Sequence, residues 1–203
     1  MKINSLLKLT GLLLALAAFQ SCIIEEQYHF DKDMSGTYSM SFDLGKFAEK
    51  DSTGEMMKGV MDGLKEELSQ IESIEGISSI ETDYGMTTVD LSYRFADVEA
   101  LNRIENVDNE GKEQTYFSRK KNVLSIALNL DEVKESAKRD KKEDEEMGEM
   151  LSAMIQYRVK VSFDEPVSVI KLANFNQVDS QTFVYDSEVN GFESTPTLKV
   201  KLK

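Results

Sequence analysis

The chain opens on an apolar run, Leu9–Phe19, preceded by Lys2 and Lys8 and ended by Gln20 and Ser21. That length suits the apolar segment of an export signal and is too short to span a bilayer. From Gln27 the pattern becomes alternation. In "QYHFDKDMSGTYSMSFDL", Tyr28 and Phe30 share one face of a strand. Tyr38, Met40 and Phe42 share one face of the next, so the stretch predicts a hairpin. A helical period follows, with Met57, Val60, Met61, Leu64, Leu68 and Ile71 on one stripe. Gly59 and Gly63 lie off that stripe and weaken the helix. "GISSIETDYGMTTVDLSYRF" predicts a second hairpin, turning near Tyr84 and Gly85, and "DVEALNRI" a short helix. "EQTYFSRKKNVLSIALNL" predicts a third hairpin with its turn at residues 120–122.

A third helical region is predicted from about Leu130 to Gln156. Its stripe holds Leu130, Val133 and Ala137 at the start, and Met147, Met150, Leu151 and Met154 at the end. Asp140 and Asp144 interrupt it, so "SAKRDKKEDEEM" projects into solvent or breaks the helix. The tail returns to strands in "QYRVKVSFDEP", "VSVIKLANF", "SQTFVYDSEV" and "TLKVKLK", with Pro166 and Pro196 between strand candidates. Strands in hairpins, three amphipathic helices and no βαβ alternation predict an α+β domain. The expected form is a curled antiparallel sheet of hairpins packed against amphipathic helices, a helix-grip-like arrangement.

Charge and composition then narrow the partners. Residues 1–21 contain two lysines and no acid, so the chain without them has 22 basic against 37 acidic residues, a net charge of −15. Such a balance repels nucleic acid and anionic headgroups. The catalytic inventory is thin, with one histidine, His29, and one cysteine, Cys22. Counting therefore argues against thiol catalysis, Cys/His zinc sites and most histidine triads. No phosphate loop or glycine fingerprint is present, and no cofactor is expected.

The solitary cysteine directly follows the apolar run. "FQSC" resembles a bacterial lipoprotein cleavage site, although Phe19 stands where leucine is usual. The resemblance implies removal of residues 1–21, lipidation of Cys22 and attachment to a membrane through acyl chains, each worth about 0.8 kcal/mol per buried methylene. With no second cysteine, Cys22 has no internal disulfide partner. Residues 22–26 would form the lipidated cysteine and a short acidic tether, and residues 27–203 a single domain. Ile23 is not the aspartate that retains lipoproteins at the inner membrane. Glu25 and Glu26 in "CIIEE" resemble the surface-export signal of Bacteroidota lipoproteins. Together these imply an outer-membrane anchor, facing the periplasm or the cell surface.

Two further patterns carry chemistry. Asp31, Asp33, Ser35 and Gly36 match the first, third, fifth and sixth positions of an EF-hand loop. Phe42 replaces the closing glutamate, so the stretch reads as a polar turn and no metal is expected. Met57, Met61, Met150 and Met154 crowd two helical stripes. Methionine is flexible and polarizable, so these side chains either fill the core or line a pocket for a lipid or other apolar ligand.

The cysteine signal, then "YHFDKDMSGTYSMSFDL", then helix, hairpins and "RVKVSFDEP" resemble in layout the LppM-like lipoproteins. That resemblance implies a helix-grip fold and lipid or glycolipid binding. The membrane helix that usually closes those proteins has no counterpart in "TLKVKLK". The expected function is a non-catalytic, lipid-anchored envelope protein that binds an apolar ligand. The alternatives are an interaction module for another envelope protein and a carboxylate-based hydrolase.

Overall fold

The alternating stretches fold as strands, and their register shows which side chains share a face. The computed structural model describes residues 22–43, 68–106, 114–128, 130, 155–187 and 195–203. The first hairpin consists of β1 (Cys22–Phe30) and β2 (Gly36–Asp43), with Tyr28 opposite Tyr38 and Phe30 opposite Gly36. The second consists of β3 (Ile77–Tyr84) and β4 (Thr88–Phe95), closed where the Gly85 amide donates to Thr88 O at 2.9 Å. The helix α1 (Val98–Glu105) follows and buries Val98, Ala100 and Leu101. It starts at Asp97, whose Oδ1 accepts the Ala100 amide at 2.8 Å and satisfies one of the donors a helix start leaves open.

Asn102 of α1 fixes what comes next. Its Oδ1 accepts the amides of both Tyr116 and Phe117 at 2.9 Å, positioning the start of β5 (Phe117–Lys120). β5 turns through Lys121, at φ 58°, into β6 (Val123–Ala127). The tail supplies β7 (Ile155–Phe163), β8 (Ser168–Ala173), β9 (Asn176–Gln177), β10 (Thr182–Asp186) and β11 (Thr197–Lys201).

These strands form two sheets. One has the order β3-β4-β2-β1-β7-β10-β9 and the other β5-β6-β11-β8. β1 and β7 run parallel, in register from Cys22 opposite Ile155 to Phe30 opposite Phe163, so the larger sheet is mixed.

The expected α+β class is therefore corrected. Among the described residues the protein is mainly β, with two sheets instead of one curled antiparallel sheet and α1 as the principal helix. The physical reason lies in what periodicity reports. Alternation shows that a segment is a strand and which face is apolar, but it does not name the partner strand. The third helical region is also shortened at its end, since Ile155 and Gln156 begin β7. The stripe from Met57 meets described residues only at Leu68 and Ile71, where residues 68–71 are helical and Ile71 is buried. The signal run and residues 138–145 lie outside the described residues.

The core lies on one face of the larger sheet and against the smaller one. Four cross-strand rows cover that face. At the end of the sheet that carries the β1–β2 turn stand Phe95, Gly36, Phe30 and Phe163, and next come Tyr93, Tyr38, Tyr28, Val161 and Phe183. The third row is Leu91, Met40, Glu26, Val159 and Tyr185, and the fourth, nearest Cys22, is Val89, Phe42, Ile24 and Tyr157. The smaller sheet answers with Leu124, Ile126, Leu198 and Val200, all buried. The ring of Phe117, 5.3 Å from that of Tyr28, joins the two sheets into one core.

Candidate functional site

A carboxylate stands in the middle of an otherwise apolar row. In β1 the alternation puts Glu26 on the same face as Ile24, Tyr28 and Phe30, between Met40 and Val159. An acid in such surroundings must be hydrogen-bonded. Tyr157 Oη donates to Glu26 Oε1 at 2.8 Å, and Tyr28 Oη to Glu26 Oε2 at 3.0 Å. Glu105, the last residue of α1, brings its Oε1 to 3.3 Å from the same Tyr28 hydroxyl. A hydroxyl has one proton, so Tyr28 can donate to only one of the two carboxylates at a time.

The tyrosines are held in their donor form. Burial first, and then the charge of Glu26, push the hydroxyls of Tyr28, Tyr38 and Tyr157 well above their ordinary range. Tyr185 is pushed up to about 12, by burial and then by Asp186. Ring packing fixes them, with Tyr38 stacked on Tyr93 at 4.7 Å and tilted against Tyr28 at 5.0 Å. Toward Cys22 the wall is looser, since Ile24, Met40 and Phe42 are only half-buried. The site thus offers carboxylate acceptors and tyrosine hydroxyls beside an apolar wall, a combination that suits a hydrogen-bond-donating head on an apolar body.

A second group lies on the opposite face, at the turn end. His29 is cross-strand neighbour to Ser162. Its Nδ1 is 3.0 Å from Ser162 Oγ, and its Nε2 is 3.1 Å from Asp164 Oδ1 and 3.8 Å from Asp31 Oδ1. One histidine is enough for a Ser–His–Asp set, so counting histidines was too severe an exclusion. The geometry around Ser162 nevertheless lacks what acyl transfer needs. Nearby amides are committed to the backbone: Phe163 donates to Gln181 O and Asp164 to Phe30 O, both at 3.0 Å. Neither of these two amides is left to stabilise an oxyanion.

The "DKDMSG" turn satisfies itself. The Ser35 amide donates to Asp33 Oδ1 at 3.0 Å, and the Ser35 hydroxyl lies 2.7 Å from Asp33 Oδ1 and 3.0 Å from Asp31 Oδ2, donating its one proton to either carboxylate at a time. Those Ser35 bonds hold the Asp33 carboxyl below its usual range. Asp31 also takes Arg94 Nη2 at 3.0 Å, Lys32 pairs with Glu165 at 2.7 Å, and Arg119 donates to Asp33 O at 2.9 Å. The turn ties β4, β5 and the end of β7 together. His29, Asp31 and Asp164 do bring three ligand atoms within 4.8 Å of one another. Asp31 is engaged by Arg94 and Ser35, and Asp164 by His29.

The layout is similar to that of LppM. The folded domain of LppM from Mycobacterium tuberculosis, solved by NMR, shares 12% identity at a TM-score of 0.47, over 91% of this chain and 93% of that one. No residue role is carried over from it. No protein-family model matches the chain, and no curated protein matches it in sequence.

Of the residues singled out in the sequence, Cys22 begins β1 opposite Ile155. The pocket candidates Met57, Met61, Met150 and Met154 lie outside the described residues. Glu25 and Glu26, read as a tether, are strand residues on opposite faces of β1. Glu26 was missed as a site residue although a signal existed: it is two residues before Tyr28 and four before Phe30, on the apolar parity. Glu105 reaches the site only through the packing of α1, which no local pattern reports.

Proposed function

We propose that this chain is a non-catalytic lipoprotein of the cell envelope, held at the outer membrane through Cys22, whose domain binds an amphiphilic ligand. The export signal and the lone cysteine support the anchor. The observation that carries the ligand is Glu26 on the core face of the central strand, hydrogen-bonded by two tyrosines and bordered by half-buried Ile24, Met40 and Phe42. Glu26 is four residues from Cys22, about 13 Å at strand rise, so the ligand site lies close to the bilayer. A lipid or lipid-like molecule drawn from that bilayer fits both the position and the chemistry.

Native mass spectrometry of the acylated protein extracted from its own membrane tests this. The expected result is a co-purifying lipid, retained in the wild type and lost in Glu26→Gln. Extraction without any bound lipid, in protein that folds normally, would remove the ligand reading. Cys22→Ala should abolish recovery in the washed membrane fraction, and full recovery would remove the anchor.

A second reading has its own observation. β8 is an edge strand of the smaller sheet, and it exposes Val169, Ile170 and Leu172. An apolar edge of this kind favours an envelope protein as partner. The same extraction distinguishes the two, since a stoichiometric protein without lipid selects the interaction module.

A further inference from the structure

We propose that the β3–β4 turn, from Tyr84 to Thr87, rests in the surface of the bilayer that holds Cys22. The inference depends on the lipid-anchored reading and adds an orientation and a second contact to it. It starts from strand register. Ile23 lies opposite Asp43, Asp43 opposite Thr88, and Tyr84 opposite Val89. One step toward the start of β1 reaches Cys22, and the matching step along β4 reaches Thr87, with Met86 at the tip. The tip is therefore level with the acylated residue. Two strand spacings separate β4 from β1, so the lateral offset is roughly 10 Å.

The side chains there suit the position. Met86 is 91% exposed and Tyr84 36% exposed. A long apolar thioether at a turn tip has nothing to gain from water, and tyrosine favours a boundary that is apolar at one end and wet at the other. Electrostatics sets the kind of surface. Among the described residues, Glu25, Asp43, Asp83 and Asp90 stand near this end of the sheet, and the nearby cation Arg158 bonds Asp186 at 3.0 Å. Anionic headgroups are repelled, so the contact is apolar, favours zwitterionic lipid and does not loosen in salt. The β1–β2 turn lies at the other end of a nine-residue strand, about 30 Å away at strand rise. It faces away from the membrane.

The chain contains no tryptophan, so a single introduced one reports its own surroundings. Acylated full-length Met86→Trp and Lys32→Trp proteins, extracted in detergent, are reconstituted into phosphatidylcholine vesicles with and without brominated acyl chains. The expected result is blue-shifted emission from the Met86→Trp reporter, quenched by brominated lipid and unchanged at high salt. The Lys32→Trp reporter should emit as in water and escape quenching. Co-flotation with vesicles but water-like emission from Met86→Trp would overturn the tip contact and leave the anchor standing. Failure to co-float would overturn the anchor and the orientation with it. Equal quenching of both reporters would overturn the upright orientation.

Discussion

The two halves of one sheet face make an instructive pair. At the turn end, Phe30, Phe95 and Phe163 pack with ring centroids 5.4 and 5.5 Å apart, and no polar side chain enters their row. At the Cys22 end the same strands present Glu26, Tyr28 and Tyr157, with Ile24, Met40 and Phe42 half-buried. Parity along the strand is identical in both halves, so the difference is one of chemistry on a shared face. The phenylalanine half carries stability through dense packing. The tyrosine half holds a charge that burial opposes and that only dedicated hydrogen bonds retain. A fold tolerates such an arrangement where a site is worth its cost.

Truncation separates the halves most strongly. Phe30 is fully buried between Phe95 and Phe163, and Phe30→Ala should destabilise by about 3–5 kcal/mol. Glu26→Gln keeps the shape and most hydrogen bonds, and should change stability by about 1 kcal/mol or less. Urea unfolding of both variants gives the two numbers. Equal losses would show that the carboxylate is as structural as the phenylalanine, and the contrast would disappear.

Gly36 sharpens the packing side. A Cβ added there would overlap the backbone oxygen of His29 and approach Phe95 Cζ to 2.7 Å. The obstacle is largely backbone, which cannot give way locally. Gly36→Ala should therefore cost about 3 kcal/mol, the upper part of the usual overpacking range. A thermal melt within a degree of the parent would mean that this end is looser than the register implies.

Alkali probes the tyrosine side. In the unfolded chain these hydroxyls ionise near their ordinary value of 10.0, while in the folded chain Tyr28, Tyr38 and Tyr157 ionise well above it. Their stabilising contribution is complete below about pH 10 and is lost as pH rises toward the folded values. Each such group lowers stability by about 1.4 kcal/mol per pH unit in that window. Tyrosinate absorbance should therefore rise for these residues together with unfolding, and Tyr28→Phe should make the loss of stability less steep. Full tyrosinate absorbance in still-folded protein would show that the hydroxyls reach solvent.

Much of this organisation is readable from local signals. The alternation of Tyr28 and Phe30, then Tyr38, Met40 and Phe42, predicts β1 and β2, and "DVEALNRI" becomes α1 with Asp97 as its cap. The turns near Gly85 and Lys121 also fall where their sequences place them. What local signals omit is long-range pairing. β1 meets β7 across 133 residues, in the example of His29 and Ser162, and that parallel contact makes the sheet mixed. It also creates both candidate groups, because Tyr157 reaches Glu26, and Ser162 and Asp164 reach His29, only through it. The acidic residues beside Cys22 read naturally as solvated tether until the parity of Glu26 is set against that of Tyr28.

The smallest expected effect concerns His29, and it decides whether the turn end is only structural. The imidazole is 40% exposed, and its contacts to Ser162 and Asp164 are of the partly solvated kind that contributes little. His29→Ala should cost less than about 1 kcal/mol, well below the loss at Phe30 one residue away on the other face. The same position tests metal chemistry, since His29, Asp31 and Asp164 could close on a cation if Arg94 and Ser35 released Asp31. Breaking those bonds opposes binding, so zinc or calcium should leave the melting temperature of the wild type unchanged. A zinc-dependent rise of several degrees that vanishes in His29→Ala would make the turn end a ligand site in its own right. Function would then lie at both ends of the sheet, and the contrast between a packed half and a binding half would fail.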